Sequence, residues 1–114
     1  MVIATRVLML RGDGGDTEVP IRIFAPEPDD RCWRCRYEVE WPDETYKSEA
    51  YGHDAVQAIE LAFQKIGIEL YVSEEHKAGR LGWGKPGNGY GFPVAKTVRD
   101  LLVGHDKQFY GEGS

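Results

Sequence analysis

Serine, histidine and cysteine are scarce in this chain, and each scarcity closes off a chemistry. Ser48, Ser73 and Ser114 are the only serines, and none stands in the Gly-x-Ser-x-Gly setting of a nucleophile elbow. His53, His76 and His105 are isolated from one another, and Cys32 and Cys35 are the only thiols, so a zinc site has one Cys-x-x-Cys and no second pair of ligands at workable spacing. Positive charge is also short. A net charge of −5 and a pI near 5.2 disfavour a generic nucleic-acid role, because displacing counterions from a duplex takes an excess of cations. No run approaches the roughly 20 apolar residues of a membrane span. The apolar opening Met1–Leu10 is interrupted by Arg6 and lacks the uncharged core and cleavage site of a signal peptide, so the expected location is cytoplasmic.

What is present is ordinary globular material, 41% hydrophobic and 29% charged in 114 residues. Surface scaling for this size buries roughly two-thirds of the unfolded surface, enough for one hydrophobic core without staples. The expectation is a single α+β domain over residues 1–108 with a frayed tail at 109–114.

Val2–Leu10 reads as a first strand, Gly12–Asp16 as a turn, and Val19, Ile21 and Ile23 as a period-2 strand running to about Ala25. Pro20 lacks an N–H and places that strand at an edge or a bulge. Pro26–Asp30 reads as a loop. Trp33, Cys35, Tyr37, Val39 and Trp41 then alternate with Arg34, Arg36, Glu38 and Glu40, giving an aromatic inner face and a charged outer one. Thr45–Tyr51 returns as a fourth strand, completing an antiparallel meander of four strands, or five if Leu81 and Trp83 extend beside it.

Asp54 and Gln57 have capping-box spacing and open a long amphipathic helix over residues 54–72, packed on one face of the sheet. Its apolar arc contains Ala55, Val56, Ile59, Ala62, Phe63, Ile66 and Leu70. Leu61, Ile68 and Val72 form a second stripe on the opposite side, a candidate interface to be covered by the C-terminal segment or a second protomer. Gly84–Gly91 reads as a turn-rich loop, and Val94, Val98, Leu101 and Leu102 as the inner face of a short C-terminal helix ending near Gly104.

The motifs that suggest chemistry fail on context. Cys32-Trp33-Arg34-Cys35 enters a strand, where residues three apart point to opposite faces about 10 Å apart, beyond disulfide reach; Cys35 reads as a core residue. Gly79–Pro86 matches most of a P-loop but has Pro86 where Ser or Thr must bind magnesium. Glu38 and Glu40 could form a carboxylate pair, but beside Arg34 and Arg36 they read as a solvated charge ladder. The loop 82–92 remains, with Trp83, Lys85, Asn88 and Tyr90 as candidate ligand or partner contacts; the weightier alternative is a lid that folds its aromatics onto the core.

Several features together resemble an uncharacterised family of small bacterial domains of unknown function: Ile3-Ala4-Thr5-Arg6-Val7-Leu8, Trp33-x-Cys-x-Tyr37, Tyr51-Gly52-His53-Asp54 with Gln57-Ala58, and Gly91-Phe92-Pro93. The resemblance covers most of residues 3–93. It implies the fold and a cytoplasmic bacterial origin and brings no activity with it. Tyr37 to Leu70 is more loosely similar to the core of HicB-type antitoxins, which implies a protein partner. The expected function is a non-enzymatic protein-interaction module, immunity- or antitoxin-like, with a protein partner or a homodimer and no cofactor, metal, nucleic acid or membrane. The alternative is a small-ligand binding protein or enzyme using loop 82–92.

Overall fold

The computed structural model describes residues 1–86 and 89–93. In chain order its elements are β1 (Val2–Leu10), β2 (Thr17–Phe24), β3 (Glu27–Asp29), β4 (Cys32–Glu40), β5 (Thr45–Gly52), α1 (Ala55–Tyr71), α2 (Glu74–Lys77), β6 (Leu81–Trp83) and β7 (Lys85–Pro86). This is the expected α+β antiparallel architecture with one long helix. The backbone groups into two compact units, Met1–Val7 with Val19–Ala62, and Leu8–Glu18 with Phe63 onward.

In the first unit β4 is the central strand. Its aromatic face is buried because alternation puts Cys35, Tyr37 and Val39 on one side, joined there by Ile21, Ile23 and Ala50 from its neighbours. β5 runs antiparallel along β4 from Trp33↔Gly52 to Glu40↔Thr45. β2 pairs with β4 through Ile21↔Val39 and Ile23↔Tyr37, and β1 lies beyond β2.

Pro26–Asp30 is not a plain loop, as its composition suggested. Glu27–Asp29 forms β3, paired with β4 through Glu27↔Arg34 and Asp29↔Cys32. Seven residues from Ile21 to Glu27 face six from Val39 to Arg34, so β2 and β3 are one strand broken by a bulge. Pro26, with no N–H to offer a ladder, sits in that break. The tight turn that follows puts Asp30 at φ 58°, a conformation aspartate tolerates better than most side chains.

Helix α1 starts as a variant of the capping box. Asp54 Oδ1 accepts from the Gln57 N–H at 2.8 Å, but the Gln57 side chain accepts from the His53 N–H at 2.7 Å, one residue earlier than the standard box. Ala58, Ala62, Ile66 and Leu70 have no exposed surface, and Gly67 and Tyr71 are buried as well. This corrects the expected arc at Val56, which is 72% exposed. A row of residues four apart slants around the helix, so the buried face at the first turn is centred on Ala58. Val56 lies two residues, about 200°, away from it. Val56→Gln should therefore leave the melting temperature nearly unchanged, within about 0.5 kcal/mol, when read by thermal denaturation.

In the second unit the end of β1 pairs with β6 through Met9↔Gly82 and Leu10↔Leu81, and the Arg11 N–H donates to the Arg80 carbonyl at 2.8 Å. β6 turns at Gly84, φ 71°, into β7. The fifth strand thus exists, but it extends the sheet at β1 instead of continuing the meander from β5. The short helix α2 was not foreseen; Ser73 caps it by accepting from the His76 N–H at 3.1 Å. Residues 94–114, which include the expected C-terminal helix and tail, lie outside the described residues.

Among the described residues of this unit, His76 packs against two tyrosines. Its Nδ1 is hydrogen-bonded to the buried Tyr90 hydroxyl, and the Tyr71 ring meets its edge at 4.8 Å. Burial pushes its pKa below the ordinary histidine value of 6.5, since the apolar surroundings penalise the imidazolium. The unfolded chain therefore binds the extra proton first. This contribution to stability is present at neutral pH and is lost as pH falls from about 6.5 through the lowered folded value. Denaturation midpoints between pH 7.5 and 5 should fall more steeply for the native chain than for His76→Gln.

Candidate interaction surface

A strand in the interior of a sheet spends its N–H and C=O groups on two neighbours, and β1 does so only in part. Its first carbonyl, at Met1, accepts from the Ala25 N–H at 2.8 Å, which fixes the β2 side of the strand. Alternation then turns the amide groups of Val2 and Ala4 to the opposite edge. On that edge, among the described residues, β6 pairs with Met9 and Leu10. Val2, Ile3, Ala4 and Thr5 are all exposed, so both faces of this end of the strand are in solvent, with Ile3 at 48% and Val7 at 40%. Edge strands are commonly protected by charge, proline or a bulge. Met1–Thr5 carries no charged side chain and no proline.

The outer face of the first unit has the opposite character. The charge ladder expected along β4 is closed across strands: Arg22 Nη1 donates to Glu40 at 3.0 Å, Arg34 Nη2 to Glu27 at 2.7 Å, and Arg36 lies 3.3 Å from Glu27. Lys47 stands 3.8 Å from Glu38. The Arg34 hydrogen bond, with the charges of Arg36 and Arg34 adding to it, holds the Glu27 carboxyl below its usual range. A hollow of about 490 Å³ runs between Phe24, Arg36, Glu38, Lys47 and Glu49. Its cations already face carboxylates, so it offers no net charge to a ligand, and exposed pairs of this kind contribute little to stability.

A second hollow of about 340 Å³ lies at the start of α1, lined by Cys32, Tyr51, His53, Gln57 and Leu61. The Cys32 thiol donates to the Asp29 carbonyl at 3.1 Å. Cys35 is fully buried on the other face of β4, and burial raises its thiol pKa, as expected for a core residue. Among the described residues no group of three or more His, Cys, Asp or Glu side chains could hold a metal ion.

The residues singled out from the sequence are not gathered in one place. Tyr90 is 3% exposed and bonded to His76, with its ring 5.1 Å from Tyr71, whereas Trp83 is 39% exposed. Lys85 contributes its backbone to β7, opposite Trp83, and Asn88 lies outside the described residues. Of the second helical stripe, Leu61 lines the hollow at the head of α1, Ile68 is half-buried and Val72 is 49% exposed. The surface that sequence reasoning missed is the edge of β1. Its signal was the run of uncharged residues before Arg6 in a strand that β6, among the described residues, pairs at Met9 and Leu10.

These observations define an α+β fold with an antiparallel sheet in which, among the described residues, β6 pairs with β1 at Met9 and Leu10. Residues 4–94 match the family model described as a domain of unknown function (DUF6968), and the chain belongs to that family. No curated protein and no solved structure matches the chain. Among the described residues no helix is long and apolar enough to cross a membrane.

Proposed function

We propose that this chain is a non-enzymatic protein-interaction module that takes its partner by strand addition at β1. The observation that supports this reading is the segment Val2–Thr5 of β1, whose side chains are all exposed and which, among the described residues, lies beyond the pairing with β6. An added strand satisfies the backbone groups, and side chains on alternate positions supply selectivity. The clustering of neutralised ion pairs on the outer face of β4 and β5 leaves that face without the net charge that would compete for a partner.

Affinity capture from the host extract, with native and Ala4→Lys chains compared, tests the proposal. The native chain should hold a protein in near-equimolar amount, whether another protein or an untagged copy, and Ala4→Lys should lose it. An identical set of retained proteins for both chains would overturn the strand-addition reading.

A further inference from the structure

We infer that Tyr90 is held by a proton-operated latch: neutral His76 fastens it against Tyr71 and α2, and protonated His76 releases it. The parts form one cluster within the second unit. The His76 Nδ1 and the Tyr90 hydroxyl are hydrogen-bonded, and the two rings stand edge to face at 5.6 Å. Tyr71, the last residue of α1, closes the cluster at 4.8 Å from His76 and 5.1 Å from Tyr90. Tyr71 and Tyr90 are both buried. Tyr90 stands between Gly89, φ 82°, and Gly91, φ 77°, left-handed positions that glycine adopts without strain. The backbone on either side of Tyr90 is therefore a pair of hinges.

Proton and tyrosine compete for the same imidazole. Tyr90 packs on the His76 ring, so its docking is part of the burial that penalises the imidazolium. A group that is harder to protonate in the docked state favours the undocked state, by the same factor, once it is protonated. The hydrogen bond acts in the same direction. Both ring nitrogens of an imidazolium are donors, so Nδ1 can then accept no proton from the Tyr90 hydroxyl. Tyr71 from α1 and Tyr90 from residues 89–92 are titratable groups that face the ring; Glu74, Glu75 and Lys77 share α2 with it, and Lys77 lies 3.7 Å from Glu74. Burial sets the direction of the competition. Phe92 is buried with its ring 5.9 Å from that of Phe63, and neither ring titrates, so Phe92 stays as the anchor while Tyr90 swings. Acid thereby uncovers one aromatic side chain at a fixed place on the second unit.

Amide exchange of the full chain at pH 7.5 and 5.5, corrected for the intrinsic pH dependence of exchange, reads the latch. Protection at Tyr90 and Gly91 should fall by about threefold or more at the lower pH, while Ile66 and Leu70 change less. In His76→Gln, which cannot take up the proton, protection at Tyr90 and Gly91 should be the same at both pH values. Titration of His76 followed by NMR gives the reciprocal readout: in Tyr90→Ala its pKa should rise toward the ordinary 6.5, because the covering ring is gone. The inference is overturned by protection that does not fall in the native chain, by an equal fall in His76→Gln, or by a His76 titration that Tyr90→Ala leaves unmoved.

Discussion

Gly52→Ala is expected to destabilise the protein by about 3 kcal/mol or more, which is large for the gain of one methyl group. A Cβ at Gly52 would lie 2.4 Å from the Ala58 nitrogen and 2.8 Å from the Gln57 carbonyl carbon, both backbone atoms. Backbone in the first turn of a capped helix cannot move without breaking the Asp54 and Gln57 hydrogen bonds that define its start. Gly52 also pairs with Trp33 at the end of β5, so displacing it pulls on the ladder to β4. The expected fall in melting temperature is roughly 10 °C. Gly14→Ala, where a Cβ would meet nothing within 4 Å, is the control and should move the midpoint little.

The second large effect is at Tyr37, the biggest fully buried side chain of the described residues, at 1% exposure. Removing a buried aromatic ring costs about 3–5 kcal/mol, partly from lost transfer energy and partly from the cavity left behind. Tyr37 lies between Ile23 and Ser48 in the register of the central strand, so β2 and β5 both border the void. Tyr37→Ala should therefore approach the total stability of a domain this size, and chemical denaturation should show the native baseline shortened or lost. Tyr46→Ala is the contrast. Its ring is 6.4 Å from that of Tyr37 but is partly in solvent, and the substitution should cost about 1 kcal/mol or less.

The elements with strong periodicity were legible in the sequence. The alternation from Trp33 to Trp41 marked both the strand and its buried face, because period 2 and the aromatic pattern agree there. The helix start was legible from Asp54 and Gln57. The bulge at Phe24–Pro26 was not, since a one-residue slip shows only in the pairing of strands far apart in sequence. Nor was Ala58: an alanine carries too little hydrophobicity to mark a face, and its burial depends on the close approach that Gly52 allows. For Tyr90 a glycine-rich loop fits either a surface contact or an aromatic folded onto the core, and the His76 hydrogen bond and the Tyr71 ring draw it inward. The candidate interaction edge was hidden for a different reason. Whether a strand is covered depends on where its neighbours stop, and β6 stops after Met9.

The central claim is that the edge of β1 takes up a strand of its partner. Residue-resolved hydrogen exchange of the chain alone and in complex with the protein it retains from host extract tests it most directly. The Val2 and Ala4 amides should exchange fast in the free chain and slowly in the complex, while the buried Ile21, Tyr37 and Ile66 amides stay protected in both. Rapid exchange of Val2 and Ala4 in the complex would contradict it.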